Sequence, residues 1–370
     1  MNKLDGLVCT CCPNGVEHIT IGQLIKQKKI VTITPSIKVK RNDYLVNGST
    51  PIISQEVEYI SGYCNLDDEN IPKDNYVCFG DHSEHIKYVD FAFVQGADGL
   101  KILRTDETAI SARYLFHAAS NCYCRRNNYE RHFKYFTDTM IPLPPLPVQQ
   151  EIVRILDNFT ELTAELTTEL AARRKQYEFY RDKLLTVDTA ITQKPISEIA
   201  EISTGSSNTD DAVKNGKYPF YVRSQEPLAK NEYEYDEEAI ITAGDGVGVG
   251  KVFHYVNGKY ALHQRAYRIH PSDEGIDGRF LYHYFIAKFP LYIAKQMYQG
   301  SVPSIRRPML NKFEVSIPPI ETQKRIVNIL DNFDAICSDL NIGLPAEIEA
   351  RQRQYEYYRD KLLTFKELEG

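Results

Sequence analysis

Residues 144–187 read PPLPVQQEIVRILDNFTELTAELTTELAARRKQYEFYRDKLLTV, and residues 318–365 read PPIETQKRIVNILDNFDAICSDLNIGLPAEIEARQRQYEYYRDKLLTF. They are two copies of one segment: IVRILDNF answers IVNILDNF, and KQYEFYRDKLLT answers RQYEYYRDKLLT. Pro144 aligns with Pro318 and Tyr177 with Tyr355, so the second copy carries four extra residues, near Gly343-Leu344-Pro345. Each copy follows a segment of another kind. The chain is therefore a duplication, with residues 1–143 and 188–317 as two domains and residues 144–187 and 318–370 as two helical spacers.

Both copies begin at a Pro-rich stop and continue with helical periodicity. No Gly or Pro occurs from 148 to 194, and Val148, Ile152, Ile155, Phe159, Leu162 and Leu166 recur at alternating steps of four and three, a heptad seam. Leu170 follows Leu166 at a step of four, a stutter that locally unwinds a supercoil; Tyr177, Tyr180 and Leu184 resume the pattern. A helix over residues 148–185 spans about 57 Å, more than a small domain is wide. In the second copy Gly343 and Pro345 predict two shorter helices. Ile326, Ile329, Phe333, Ile336 and Leu340 share one face, continued by Ile348, Tyr355, Tyr358 and Leu362. Matching amphipathic segments predict mutual pairing. The fold class that follows is α+β: two mixed α/β domains joined by two long helical segments forming an antiparallel coiled coil. In the competing arrangement each helix docks only on its own preceding domain.

The two domains show strand signals at residues 30–33, 76–79, 91–94, 239–242 and 251–256, with helical stretches at 112–119 and 278–298. Asn257-Gly258, between Val256 and Lys259, predicts a hairpin turn. Asn47-Gly48 and Pro51 match Asn215-Gly216 and Pro219 in order, as Phe79-Gly80-Asp81 matches Ala243-Gly244-Asp245. Otherwise the two differ, which suggests one scaffold with two binding surfaces.

A length of 370 residues predicts roughly two to three domains. With 44 basic and 50 acidic residues the net charge is −6, which excludes a uniformly basic nucleic-acid coat. The average conceals segregation. Residues 18–42 carry Lys26, Lys28, Lys29, Lys38, Lys40 and Arg41 without an acid, and residues 279–313 carry Arg279, Lys288, Lys295, Arg306, Arg307 and Lys312 without one. Residues 111–137 hold Arg113, Arg125, Arg126, Arg131 and Lys134 against Glu130 alone; acids gather in Asp67-Asp68-Glu69 and in 226–238. Such segregation suits phosphate contacts, with Arg, Gln, Ser and Asn at hand to read base edges. No apolar run approaches a membrane span, no secretory signal precedes the first domain, and eight unsignalled cysteines read as reduced thiols, so the expected location is the cytoplasm, with no membrane partner.

Catalytic motifs fail on inspection. In Gly244-Asp245-Gly246-Val247-Gly248-Val249-Gly250-Lys251 the dinucleotide glycine spacing is broken by Val249 or Lys251, and Val252 stands where a phosphate loop needs Ser or Thr. A strand rather than a helix follows, so a glycine-rich turn is the better reading. Cys9 and Cys12 with Cys122 and Cys124 have the wrong spacing for a zinc ribbon, and His82 and His85 read as a surface loop. No self-contained active site and no metal site is expected.

The quoted blocks IPLPPLPVQQEIVRILDNF (141–159) and RRKQYEFYRDKLLT (173–186), with their second copies SIPPIETQKRIVNILDNF (316–333) and ARQRQYEYYRDKLLTF (350–365), carry a resemblance. Cys12-Pro13-Asn14-Gly15-Val16-Glu17 and Gly300-Ser301-Val302-Pro303-Ser304-Ile305 support it. Together they make the whole chain resemble the specificity (S) subunit of type I restriction–modification systems. The resemblance implies a non-catalytic reader of double-stranded DNA. Each target recognition domain would bind one half of a split sequence, and the paired helices would act as a ruler. It implies two modification (methyltransferase) subunits docked on the helices, plus restriction/translocase subunits. S-adenosylmethionine, ATP and magnesium would belong to those partners and not to this chain. Thr163-Ala164-Glu165-Leu166 and Thr167-Thr168-Glu169-Leu170 look like the tetrapeptide repeats that set domain separation in that family. A coiled-coil adaptor without a DNA role is the alternative, and an enzyme using the Gly244–Gly250 loop is a second.

For base and phosphate contacts the first domain offers Lys38, Lys40, Arg41, Arg125, Arg126 and Asn127. The second offers Arg223, Ser224, Gln225, Lys251, Gln264, Arg265, Ser304, Arg306 and Arg307. Arg and Gln bond guanine and adenine bidentately in the major groove, whereas Lys mostly holds phosphate. On the spacers, Leu162, Leu166, Leu170, Tyr177, Tyr180, Leu184, Phe333, Tyr355, Tyr358 and Leu362 are the residues expected to hold the helices together and meet partner subunits.

Overall fold

The computed structural model describes residues 3–66, 70–96, 99–186, 191–296, 304–338 and 342–368; Asp67-Asp68-Glu69, residues 300–303 and Leu340 lie outside them. Unit 1 comprises residues 1–166 and 348–370, and unit 2 residues 167–347. The division falls inside the spacers, so each unit holds one domain and part of both helical segments. The helices are α1 (Lys3–Cys11), α2 (Ile21–Lys26), α3 (Ala112–Cys122), α4 (Phe133–Asp138), α5 (Leu146–Leu184), α6 (Gly278–Ala294), α7 (Arg307–Asn311), α8 (Ile320–Ser338) and α9 (Leu344–Leu362).

In unit 1 an antiparallel sheet has the order Ile30–Ile33, Leu100–Thr105, Tyr76–Gly80, Ile86–Val89. A smaller one runs Lys38–Val39, Val94–Gly96, Thr50–Ile53, Gly62–Cys64, with Val94–Gly96 parallel to both neighbours. The apolar run at 91–94 thus enters a strand only at Val94, while Phe93 fills the core beneath Tyr76. Tyr114, Leu115, Ala118 and Ala119 of α3 join Val148, Ile152 and Leu156 of α5 in the main core.

Unit 2 has one six-stranded sheet, in the order Ala200–Thr204, Ala266–Pro271, Tyr235–Ala243, Phe253–Leu262, Tyr218–Tyr221, Leu228–Lys230. The Asn257-Gly258 hairpin does not form. Phe253–Leu262 runs straight through it, with Glu238 opposite Asn257 and Glu237 opposite Gly258. Gly258 keeps a positive φ of 127° and has open space where a Cβ would sit, so the strand carries the glycine without a reversal. The reversal lies at Gly244–Lys251 instead, the glycine-rich turn. The expected kinship of the domains extends to pairing: Pro51 lies opposite Tyr63 and Pro219 opposite Ala229, each on a strand with a parallel neighbour.

The spacers form one 39-residue helix, α5, and two helices, α8 and α9, on either side of the Gly343 break. Within each unit the helical pair is antiparallel. In unit 1 Phe159 stacks on Tyr358 with centroids 5.3 Å apart, and Ile155 lies by Leu362. In unit 2 Tyr180 and Tyr177 pack on Phe333 at 5.8 and 6.3 Å, and Leu184 lies by Ile326. The heptad seam needs correction in the middle of α5: Leu162 is 44% exposed, Leu166 and Leu170 are only half-buried, and Ile336 of α8 is 42% exposed. Leu156, outside the seam, is fully buried because the first turns of α5 also pack on their own domain, as the competing arrangement has it.

The same polar fastening recurs in both units. Asp157 of α5 accepts from Arg113 Nε and His117 Nε2, each at 2.9 Å; Asp331 of α8 accepts from Arg279 Nε at 2.8 Å and His283 Nε2 at 2.7 Å. Fully buried Gln149 accepts from Ser111 N and donates to Ala109 O and Pro144 O; Gln323 accepts from Asp277 N and donates to Gly275 O and Pro318 O. Each satisfies three backbone groups at a helix start, groups that are costly to bury unpaired.

Candidate nucleic-acid interface

Gly80-Asp81 and Gly244-Asp245 are matching strand-end corners, and each fixes the loop that leads to a short helix. Asp81 accepts from His132 N through its carbonyl and from Phe133 N through its carboxylate, at the start of α4. Gly244 O accepts from Ile305 N, and Asp245 pairs with Ser304 ahead of α7.

In unit 2 the Asp245 carboxylate holds Arg223 Nη1 at 2.6 Å and Arg265 Nη1 at 3.2 Å. Burial works to raise its pKa, but the two guanidiniums outweigh burial and hold the carboxyl below the usual range. One acid thus orients two arginines that keep further donors for a ligand. Thr209, Val222, Ser224 and residues 246–248 complete a concave surface beside them. Gly248 allows the close approach: a Cβ there would meet Arg223 O at 2.4 Å. Arg223, Ser224, Arg265 and Ser304 are therefore brought together. Gln264 is exposed and bonded to Asn208, while Gln225, Lys251 and Arg306 are exposed. Arg307 points elsewhere, donating to Ile202 O at 2.7 Å, so it is partly committed to the scaffold.

In unit 1 the loop over residues 123–132 hangs on Glu84, a buried carboxylate. Its oxygens accept from Tyr123 Oη at 2.5 Å, from Arg126 N at 2.9 Å and from Asn127 N at 2.7 Å. Burial opposes ionisation, but these bonds and His132 win, and Glu84 titrates below its ordinary value. Asn127 sits at φ 54°, which Asn tolerates. The backbone of Arg126 and Asn127 is thus structural, while their side chains are exposed. The Arg126 guanidinium lies 3.7 Å from the Tyr135 ring centroid, and Arg125 Nη2 is 3.1 Å from His85 Nδ1. Lys38 lines a second concave surface with His82, Lys101 and Arg131. Lys40 and Arg41 lie on a separate turn, where Arg41 pairs with Glu56 at 3.1 Å.

The sequence marks Asp81 and Asp245 as a matching pair and Arg131 as part of a basic stretch but gives none of them a place in a site, and nothing in it singles out the anchor Glu84 or the cation Lys101. The Asp157 and Asp331 fastenings did leave a signal, since RYLFH (113–117) and RFLYH (279–283) repeat one pattern. Among the described residues no cluster of three or more His, Cys, Asp or Glu could hold a metal, and no described helix is long and apolar enough to cross a membrane.

A family profile described as the type I restriction modification DNA specificity domain matches the chain twice, over residues 13–173 and 191–350. The chain is 29% identical to the type I restriction enzyme EcoR124I/EcoR124II specificity subunit of Escherichia coli, over 95% of this chain and 94% of that one. It is 30% identical to the type I restriction enzyme MpnII specificity subunit of Mycoplasma pneumoniae, over 52% of this chain and 62% of that one. Its fold is similar to the crystal structure of the S subunit of a type I system from M. genitalium, with a TM-score of 0.66 at 14% identity, covering 94% and 96% of the two chains. A second structure, reported for complex assembly and conformational transition of a type I R-M system, matches with a TM-score of 0.56 at 15% identity over 95% and 98%.

Proposed function

Because this chain belongs to the type I restriction–modification DNA specificity family, we propose that it is the sequence-reading subunit of such a complex, each unit reading one half of a bipartite double-stranded target. The observation that carries this is the double match of the specificity profile. Each matched segment covers most of one domain, its Gly-Asp corner and the first part of the helical segment after it.

At the second half-site Arg223 and Arg265, oriented by Asp245, present guanidinium edges suited to guanine, with Ser224, Gln225, Gln264 and Ser304 as further polar readers. Lys251, Arg306 and the free edge of Arg307 hold phosphate. At the first half-site Arg125, Arg126 and Asn127 read bases from the Glu84-anchored loop, and Lys38, Lys40 and Arg41 hold backbone, joined by Lys101 and Arg131. The spacer, including the two tetrads of α5, sets the distance between half-sites. The chain itself performs no chemistry. Two modification subunits dock on the spacer helices and supply S-adenosylmethionine and adenine methylation, and restriction subunits add ATP- and magnesium-dependent translocation and cleavage, all in the cytoplasm.

The test is selection from random duplex DNA by the complex of this chain with its modification subunits, followed by sequencing of the bound fraction. Two short fixed motifs separated by a constant number of unspecified base pairs are expected. A single contiguous motif, or none, contradicts the proposal.

A further inference from the structure

The repeat places the same five side chains along a groove in each unit. In unit 1 they are Ile155 and Phe159 of α5 with Tyr358, Lys361 and Leu362 of α9; in unit 2 they are Ile329 and Phe333 of α8 with Tyr180, Lys183 and Leu184 of α5. What lies in the two grooves differs. Along the first runs α1: Leu4, Val8 and Cys9 line it, Leu4 is buried in the unit 1 core, and Lys3 Nζ reaches Glu151 Oε2 at 2.7 Å. The second is completed by Gln176, Thr322, Arg325 and Ile326 of the same two helices, and among the described residues no third element lines it.

The polar position beside the groove is also reversed. Arg325 stands in the second copy where Glu151 stands in the first. Glu151 is bonded by Lys3 and Arg154, which hold its carboxyl down at about 2. Arg325 is exposed, and no carboxylate pairs with it among the described residues. One groove is therefore furnished with its own helix, while its twin offers the same apolar floor and an unanswered cation.

We infer that the unit 2 groove is the open docking place for an amphipathic helix of a partner chain, seated as α1 is seated in unit 1, and that α1 keeps the unit 1 groove closed to that same helix. The chemistry of the occupant follows from α1 with one charge exchanged. It carries apolar side chains at i and i+4, as Leu4 and Val8 do, and a carboxylate in the place of Lys3, to meet Arg325. The inference rests on the reading that modification subunits dock on the spacers; what it adds is that the two docking places are unequal. The first modification subunit loads at unit 2. The second loads at unit 1 only by displacing α1, and losing the burial of Leu4 and the Lys3 pair weakens that step by about tenfold or more.

Native mass spectrometry and calorimetry of the full chain titrated with its modification subunit test this. The wild type is expected to bind two copies in distinct steps. Arg325→Glu, an exposed change that spares the core, should weaken the tighter step by about tenfold and leave the weaker one unchanged. Lys3→Glu, which sets α1 against Glu151, should strengthen the weaker step, as should Val8→Glu. Two equal steps, or a tighter step indifferent to Arg325→Glu, overturn the inference while leaving the partner reading intact. Failure of the wild-type chain to bind the modification subunit at all overturns the partner reading, and the inference with it.

Discussion

Replacing Asp331 by Ala should loosen α6 from α8 and melt unit 2 early. The carboxylate takes two hydrogen bonds, from Arg279 Nε at 2.8 Å and from His283 Nε2 at 2.7 Å. His283 is buried, and its Nδ1 already has no hydrogen-bond partner among the described atoms, so losing Asp331 strips the ring of its one polar contact. Arg279 keeps a longer contact to Asp334 at 3.8 Å and its stacking on Tyr255 and Tyr282. Bonds to charged groups contribute about 1.5–3 kcal/mol each when well buried. Asp331 is 39% exposed, and discounting for water gives about 2–3 kcal/mol for the pair. At the usual slope for a unit of this size, that lowers the melting transition by roughly 4–12 °C. Differential scanning calorimetry of the full chain reads it, with Glu321→Ala, on an exposed stretch of the same helix, as control. Asp157→Ala should do the same to unit 1. Equal behaviour of Asp331→Ala and Glu321→Ala would refute the reasoning, since the repeated Arg-His pair would then fasten nothing.

Deleting residues 167–170 removes one tetrad from α5, about 6 Å of helix, and should shorten the unspecified spacer while leaving both half-site sequences unchanged, as methylation sequencing of a deletion strain can check. Burial lowers the His283 pKa below 6.5 despite Asp331, so the stabilisation it brings is full above pH 6.5 and lost as pH falls toward the folded value; unfolding measured from pH 7.5 to 5 should show unit 2 weakening, and His283→Gln should flatten the slope. In the assembled complex Arg223→Ala should cost about 1–3 kcal/mol on the cognate duplex and relax one base position, whereas Lys40→Ala should weaken all duplexes alike and reduce the salt slope by about one, both read by fluorescence anisotropy.

The duplication was legible because two near-identical helical blocks leave no other reading, and the break at Gly343-Leu344-Pro345 told a split helix from a continuous one. What sequence misjudged was decided by partners remote in the chain. Asn257-Gly258 is a strong local turn signal, yet Tyr235 to Thr242 pair without interruption with Phe253 to Tyr260 and carry it through. Leu162 fits a heptad on paper but is exposed, because apolar spacing cannot say which turns of α5 face a neighbour. Side-chain chemistry marks candidate contact residues but does not reveal commitment: Arg307 is turned to Ile202, while Arg223 and Arg265 are gathered on Asp245. Nothing local marks Glu84 or Asp245 as an anchor; the fold brings remote partners to them, Tyr123, Arg126 and Asn127 to the one and Arg223 and Arg265 to the other.

The central claim is that each unit reads its own half-site. Adenine methylation mapped by single-molecule sequencing tests it most directly, in cells carrying either this chain or a version with residues 191–317 exchanged for those of a family member of different specificity. One half of the motif should change, with the other half and the spacer kept. A change in both halves, or in neither, would contradict the account.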